Sequence, residues 1–211
     1  MKLLFTLLTI FTLSSISFAQ GDSQAILNRL SKKMKTHNSF YIEFSANTKN
    51  SSTGTNTTDT GKGWVKGKKF YASFGDNTII SNGLKTWMIV KEEKSVYESD
   101  ADDEEDGINP RKLMTIWEDG FKNKYGKETT LNGEKVHVIY LYPKDPGQAE
   151  FHTVILYISK SKEDLKKVVI KMKDGTVMTY NLKVYKANPT ISDSKFVFDP
   201  KKYPGYEVIK D

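Results

Sequence analysis

Three histidines, His37, His137 and His152, are the side chains of this sequence best suited to proton transfer or metal binding near neutral pH. None has a second ligand at metal spacing, and an H-E-x-x-H pair is absent. His137 and His152 sit in alternating, strand-like runs, where a solvated or hydrogen-bonded imidazole is the ordinary role. A serine nucleophile would need a G-x-S-x-G elbow, and none occurs. Gly61-Lys62-Gly63 is too short to cradle a phosphate. The acidic run Asp100, Asp102, Asp103, Glu104, Glu105 and Asp106 lacks the glycine and terminal glutamate of a calcium loop, so it reads as a solvated loop. With no cysteine, thiolate nucleophiles, Cys-ligated metals and disulfides are all excluded. This inventory argues against an enzyme and calls for no metal and no cofactor.

The N-terminus suggests where the chain works. Met1-Lys2 gives a positive start, Leu3 to Ile16 is apolar apart from Thr and Ser, and Ser17-Phe18-Ala19 offers small residues to a signal peptidase. Residues 1–19 therefore read as a cleaved secretory signal, too short for a membrane span. With no thiol at the cut, the product cannot be lipidated there, so a freely diffusing, exported protein starting near Gln20 is expected. Residues 20–211 are enough for one domain. The net charge of +6 is spread among lysines interrupted by acids, which does not suit nucleic acid.

Two helices and many short strands must position whatever site exists. Asp22 or Ser23 can cap a first helix with the stripe Ile26, Leu27, Leu30 and Met34. Asn109-Pro110 opens a second, carrying Leu113, Met114, Ile116 and Trp117 and stopping at Gly120. The rest alternates as roughly eleven strands, from Phe40–Ala46 through Lys195–Phe198, as the 12% aromatic content favours. Lys49 to Thr60 reads as a polar hairpin loop, and Asn82-Gly83, Asn132-Gly133 and Asp174-Gly175 as type I′ turns. No strand–helix–strand crossover is visible, so the sheet is expected to be antiparallel. Val136–Tyr142, Val154–Ile158 and Trp87–Val90 are apolar on both faces. Periodicity leaves two arrangements open, leaning to the first: two packed sheets, or one sheet whose face lines a cavity closed by the helices.

Several segments, in order, resemble the periplasmic outer-membrane lipoprotein carrier proteins of the LolA family. They are Ser39–Phe44, Gly61–Lys66 with Lys69-Phe70, Ile79–Trp87, Asn109–Met114, Phe196–Pro200 and Tyr203–Ile209. The resemblance runs from Gln24 to Ile209. It implies a mainly β (α+β) fold: a curved antiparallel half-barrel of about eleven strands with a helical lid over an apolar cavity. It also implies a function, the ferrying of triacylated lipoproteins across the periplasm. The implied partners are an inner-membrane lipoprotein-releasing ABC transporter and an outer-membrane acceptor or the outer membrane itself, met as a monomer. Acyl chains need such a cover, because each CH₂ exposed to water costs about 0.8 kcal/mol.

On this resemblance the acyl-facing candidates are Leu27, Leu30 and Met34 on the first helix. Phe40, Ile42, Phe44, Phe70 and Trp87 are the candidates on strands, and Leu113, Ile116 and Trp117 on the second helix. Many members carry an arginine after Trp-Val-Lys that latches the lid. Gly67 stands there here, followed by Lys68 and Lys69, either of which is a candidate substitute donor to the lid. The alternatives are a periplasmic lipid- or lipoprotein-sensing protein and, behind it, an exported hydrolase.

Overall fold

The computed structural model describes residues 18–101 and 114–210, with Phe18–Asp22 described as backbone only. The expected signal peptide, the acidic residues 102–106 and the start of the second helix, Leu113 included, fall wholly or mostly outside them. Helix α1 spans Phe18–Lys35. Its stripe at spacings of three and four is buried: Ile26, Leu27 and Leu30 fully, Met34 in part. Ser23 does not cap it. The helix starts upstream, and the buried Ser23 hydroxyl donates to Asn123 Oδ1 (2.6 Å). Lys32, Lys33 and Lys35 occupy the last turn, where the helix dipole favours cations.

Strands β1 (Ser39–Asn50), β2 (Thr55–Lys66), β3 (Lys69–Phe74), β4 (Asn77–Ser81), β5 (Lys85–Val90) and β6 (Ser95–Asp100) form one meander. A second comprises β7 (Phe121–Leu131), β8 (Glu134–Pro143), β9 (Phe151–Ser159), β10 (Leu165–Met172) and β11 (Val177–Ala187). Pairing of β1 with β11 joins them, and β12 (Glu207–Lys210) completes one open, curved sheet of 12 strands with β12 and β7 at its edges. Every described pairing is antiparallel except β12 on β6, which is parallel. All the described strands lie in one sheet, which corrects the packed-sandwich arrangement.

Three elements depart from the sequence reading. The polar stretch 49–60 is mostly strand, since β1 runs to Asn50 and β2 starts at Thr55. Threonines suit extended backbone. The Asn47 amide ties the strands across the ladder, bonding Asn56 and Thr58 side chains at 3.0 Å. Lys195–Phe198 is not a strand. Ser192 caps a 3₁₀ turn over Asp193–Phe196 that turns Phe196 fully inward, and the last strand comes only at Glu207. Of the three Asx-Gly turns, only Asn132-Gly133 has both central φ values positive, at 49° and 80°.

Apolar residues on both faces have a simpler cause than two sheets. The inner face, the one that α1 covers, carries the main core. On the outer face of β3–β6, Ile80, Ile89 and Val96 are buried, with Tyr71, Trp87, Phe198, Tyr203 and Tyr206 packed on them. The chain after β11 thus covers that half from outside. A smaller outer cluster, Val138, Ile155 and Val169, is flanked by Tyr140 and Tyr157.

Gly61 marks the tightest fit of the inner face: a Cβ there would lie 2.2 Å from Phe44 Cζ. Gly61→Ala is expected to destabilise the fold by about 1–3 kcal/mol, because the Phe44 ring must leave its packed position. Urea unfolding checks this, and an unchanged midpoint would mean that the ring has room to spare.

Candidate functional site: the apolar inner face

Strand register decides which side chains share this face, because residues paired across a ladder point the same way. Phe40 pairs with Val65, Val65 with Phe70, and Ile42 with Gly63, which pairs with Ala72. Phe44 pairs with Gly61, which pairs with Phe74. The glycines and Ala72 leave room for the larger rings beside them. Phe44 packs on Phe74 (centroids 6.0 Å apart) and on Tyr180 (6.1 Å), while Phe40 stacks on Tyr185 (5.9 Å). Burial holds the phenols of Tyr180 and Tyr185 above the ordinary value. The far half of the face comes from Ile139 and Leu141 on β8, Val154, Leu156 and Ile158 on β9, and Leu165 and Val168 on β10.

Seven of the expected residues meet here. Leu27, Leu30, Phe40, Ile42, Phe44, Phe70 and Trp117 are buried in one cluster, with Met34 and Ile116 packed against it. Trp87 does not join them. It pairs with Ile80 and Glu98 on the outer face, stacks on Phe198 at 5.8 Å and donates its indole N–H to Glu98 at 3.1 Å. That bond holds the Glu98 carboxyl below its usual value. The error is one of parity: Thr86, not Trp87, shares the register row of Ser81 and Phe70. The β9 contribution was missed, although Val154, Leu156 and Ile158 alternate with the period that could have found them.

Polar contacts at its margins hold α1 over the face. The Asn123 amide donates to Gln24 (2.6 Å), and the Trp117 indole to Ser31 (2.7 Å). Arg29 pairs with Glu163 at 2.6 Å, Lys33 with Asp164 and the Lys162 carbonyl, and Lys35 with Glu118 at 3.4 Å. Such part-exposed pairs contribute about 0–1 kcal/mol each. Among the described residues, two cavities flank the helix. One of about 270 Å³ includes Met34, His37, Phe40 and Met114 in its wall, and the other, of about 150 Å³, includes Leu27, Ser31 and Trp117. Both are below the roughly 300–1,000 Å³ of an ordinary small-molecule site. Among the described residues, the side chains of the inner face pack against the apolar stripe of α1. At the mouth of the larger cavity His37 Nδ1 lies 2.5 Å from the Tyr185 hydroxyl. Burial and the neighbouring Lys33 hold this imidazole below its usual range.

Of the two lysines after Gly67, Lys69 is engaged away from the expected lid among the described residues. Gly67 adopts φ +58° and donates its N–H to the Asn38 carbonyl. Lys66 and Lys69 both reach Asp193, at 3.1 and 3.3 Å, and Lys66 also reaches the Ile191 carbonyl, so the hairpin clamps the C-terminal segment instead. Hydrogen bonds from these lysines hold the Asp193 carboxyl below its usual range.

The described residues thus form an open sheet whose apolar inner face lies under helix α1. The family model of the outer membrane lipoprotein carrier protein LolA matches residues 35–199, and the chain belongs to that family. Among solved structures, a conserved protein from Thermus thermophilus aligns over 90% of this chain and 99% of its own, at 13% identity and a TM-score of 0.59. A LolA superfamily protein from Nitrosomonas europaea covers 83% of this chain and 97% of its own, at 12% identity and a TM-score of 0.43. The Mycobacterium tuberculosis lipoprotein LppX covers 80% and 98%, at 13% identity and a TM-score of 0.45. The first supports the fold; the other two are too distant to argue from. No curated protein matches the sequence. Among the described residues no helix is long and apolar enough to cross a membrane.

Proposed function

We propose that this chain is a lipoprotein carrier, binding the acyl chains of lipoproteins released from the inner membrane and delivering them to the outer membrane. It is exported by the 1–19 signal and works in the periplasm as a monomer with a single carrier domain, 20–211. A lipoprotein-releasing ABC transporter supplies the cargo, and an outer-membrane acceptor or the membrane itself receives it. The observation that carries this reading is the pairing of a continuous apolar sheet face with a cover held at its margins by weak polar contacts. Acyl chains entering between them would meet Leu27, Leu30 and Met34 on one side and Phe40, Ile42, Phe44 and Phe70 on the other. Ile116 and Trp117, with Leu113 assigned beside them by sequence, close the remaining flank. Apolar contact without strong polar anchors suits a carrier that must also release its load.

Register supplies the test. Photo-crosslinking residues placed at Phe40 and Phe70 should label the acyl chains of a bound lipoprotein, and those at Trp87 and Tyr41 should not. Labelling from both sets alike would remove the inner face as the site.

A further inference from the structure

The outer face of β1 and β2 bears a second concave surface that acyl transport does not use. It is a groove of about 660 Å³ between the sheet and the segment 189–202. Its floor is the aromatic pair Tyr41 and Trp64, with ring centroids 4.7 Å apart. Register sets this pair opposite in parity to Phe40 and Val65, so the groove is separated from the inner face by the sheet itself. Glu43 lies beside the floor and accepts the Tyr41 hydroxyl, while Thr190, Ser192 and Ser194 bring hydroxyl groups to the facing wall.

The charges around this floor are unusual for the molecule. Lys186, Lys195 and Lys202 line the groove, and burial, followed by the neighbouring Lys202 and Lys62, lowers the proton affinity of Lys195. Lys195 sits 3.9 Å from the centroids of both Trp64 and Tyr71, and Lys186 lies 5.9 Å from that of Tyr41. None of these four lysines forms an ion pair among the described residues, whereas Lys66 and Lys69 on the same hairpin share Asp193. Three lysines line the groove against one carboxylate, that of Glu43, and this excess of positive charge favours an incoming anion. The aromatic floor favours a ring with an apolar face, and the hydroxyls and Glu43 favour a ring rich in hydroxyl groups.

We propose that the groove bounded by Tyr41, Trp64, Lys186, Lys195 and Lys202 binds a phosphorylated, polyhydroxylated ring. The ring packs against Tyr41 and Trp64 beside Lys195, its hydroxyls meet Glu43 and the serines, and its phosphate meets the lysines. The same chemistry could come from a soluble sugar phosphate or from a lipid headgroup.

Inositol 1-phosphate serves as the probe, followed by amide shifts of the whole chain at low salt. It should move Tyr41, Trp64 and residues 189–195 and bind about tenfold more tightly than inositol or inorganic phosphate, since packing and charge act together. Lys186→Ala and Lys202→Ala, both exposed, should weaken it several-fold with the fold intact, and added salt should do the same. Vesicles containing phosphatidylinositol, set against phosphatidylglycerol vesicles of equal charge, separate the sources. Tighter binding to the former than to free inositol 1-phosphate assigns the headgroup, and the reverse assigns the soluble compound. Equal binding of inorganic phosphate would reduce the groove to a patch of cations and overturn the proposal. So would tighter binding of adenosine monophosphate, or shifts confined to other residues. Acyl crosslinking at Phe40 should be unchanged throughout, so the outcome is independent of the carrier reading.

Discussion

Leu30→Glu is expected to unfold the empty protein, and Met34→Glu to leave it folded but unable to take up acyl chains. Leu30 is 1% exposed at the centre of the helix–sheet contact. Truncation there alone would cost about 2–5 kcal/mol. An unpaired carboxylate adds the cost of burying a charge or protonating it, and the sum rivals a typical total stability of about 5–15 kcal/mol. Met34 stands at the end of the same stripe, only partly buried, beside the 270 Å³ cavity. Its replacement can turn toward solvent in the empty state, but on the carrier reading would put a charge in the path of the entering acyl chain. Thermal melts and uptake of a fluorescent fatty acid separate the two effects. A Leu30→Glu melt within a few degrees of wild type would contradict the packed helix. Normal uptake by Met34→Glu would take this end of α1 out of the lipid path.

The contrast between those positions shows what could be read in the sequence. The stripe of α1 was legible because spacings of three and four match the helical period and no strand period, and Phe40, Ile42 and Phe44 because strict alternation fixes a strand face. Whether the helix lies on a packed face or over an open cavity was not legible, since both bury the same residues. Trp87 was misplaced because its strand is apolar on both sides, so alternation could not choose. Only the register through Ile80 and Tyr71, and the cover given by Phe198, put it outside. That cover comes from a segment whose aromatic residues look strand-like, but whose Ser192 cap and Pro200 turn it into short 3₁₀ pieces. The lysines of the β2–β3 hairpin were visible as donors. Their acceptor, Asp193, is more than 120 residues away and could not be seen.

Joining α1 to the sheet through a disulfide should stop loading without disturbing the fold. The C-terminal end of the helix is already restrained, since only residues 36–38 separate Lys35 from the start of β1. On the carrier reading the helix therefore lifts from its N-terminal half, about a hinge near Thr36. That half meets the edge strand β7 where the Ser23 hydroxyl touches Asn123 Oδ1 at 2.6 Å. Both side chains are short, so a Ser23→Cys/Asn123→Cys pair replaces a native contact rather than forcing a new one. The chain has no cysteine of its own, which makes the bond unique. In the oxidised protein the lifted state is removed from the ensemble, and apparent affinity falls with the fraction of molecules able to open. Uptake of an acyl probe, and release of lipoprotein from inner-membrane vesicles, should drop by about tenfold or more, equivalent to at least about 1.4 kcal/mol. Reduction should restore both, and each single cysteine variant should behave as wild type. Full loading of the oxidised protein would mean that acyl chains reach the inner face by a route that leaves α1 in place.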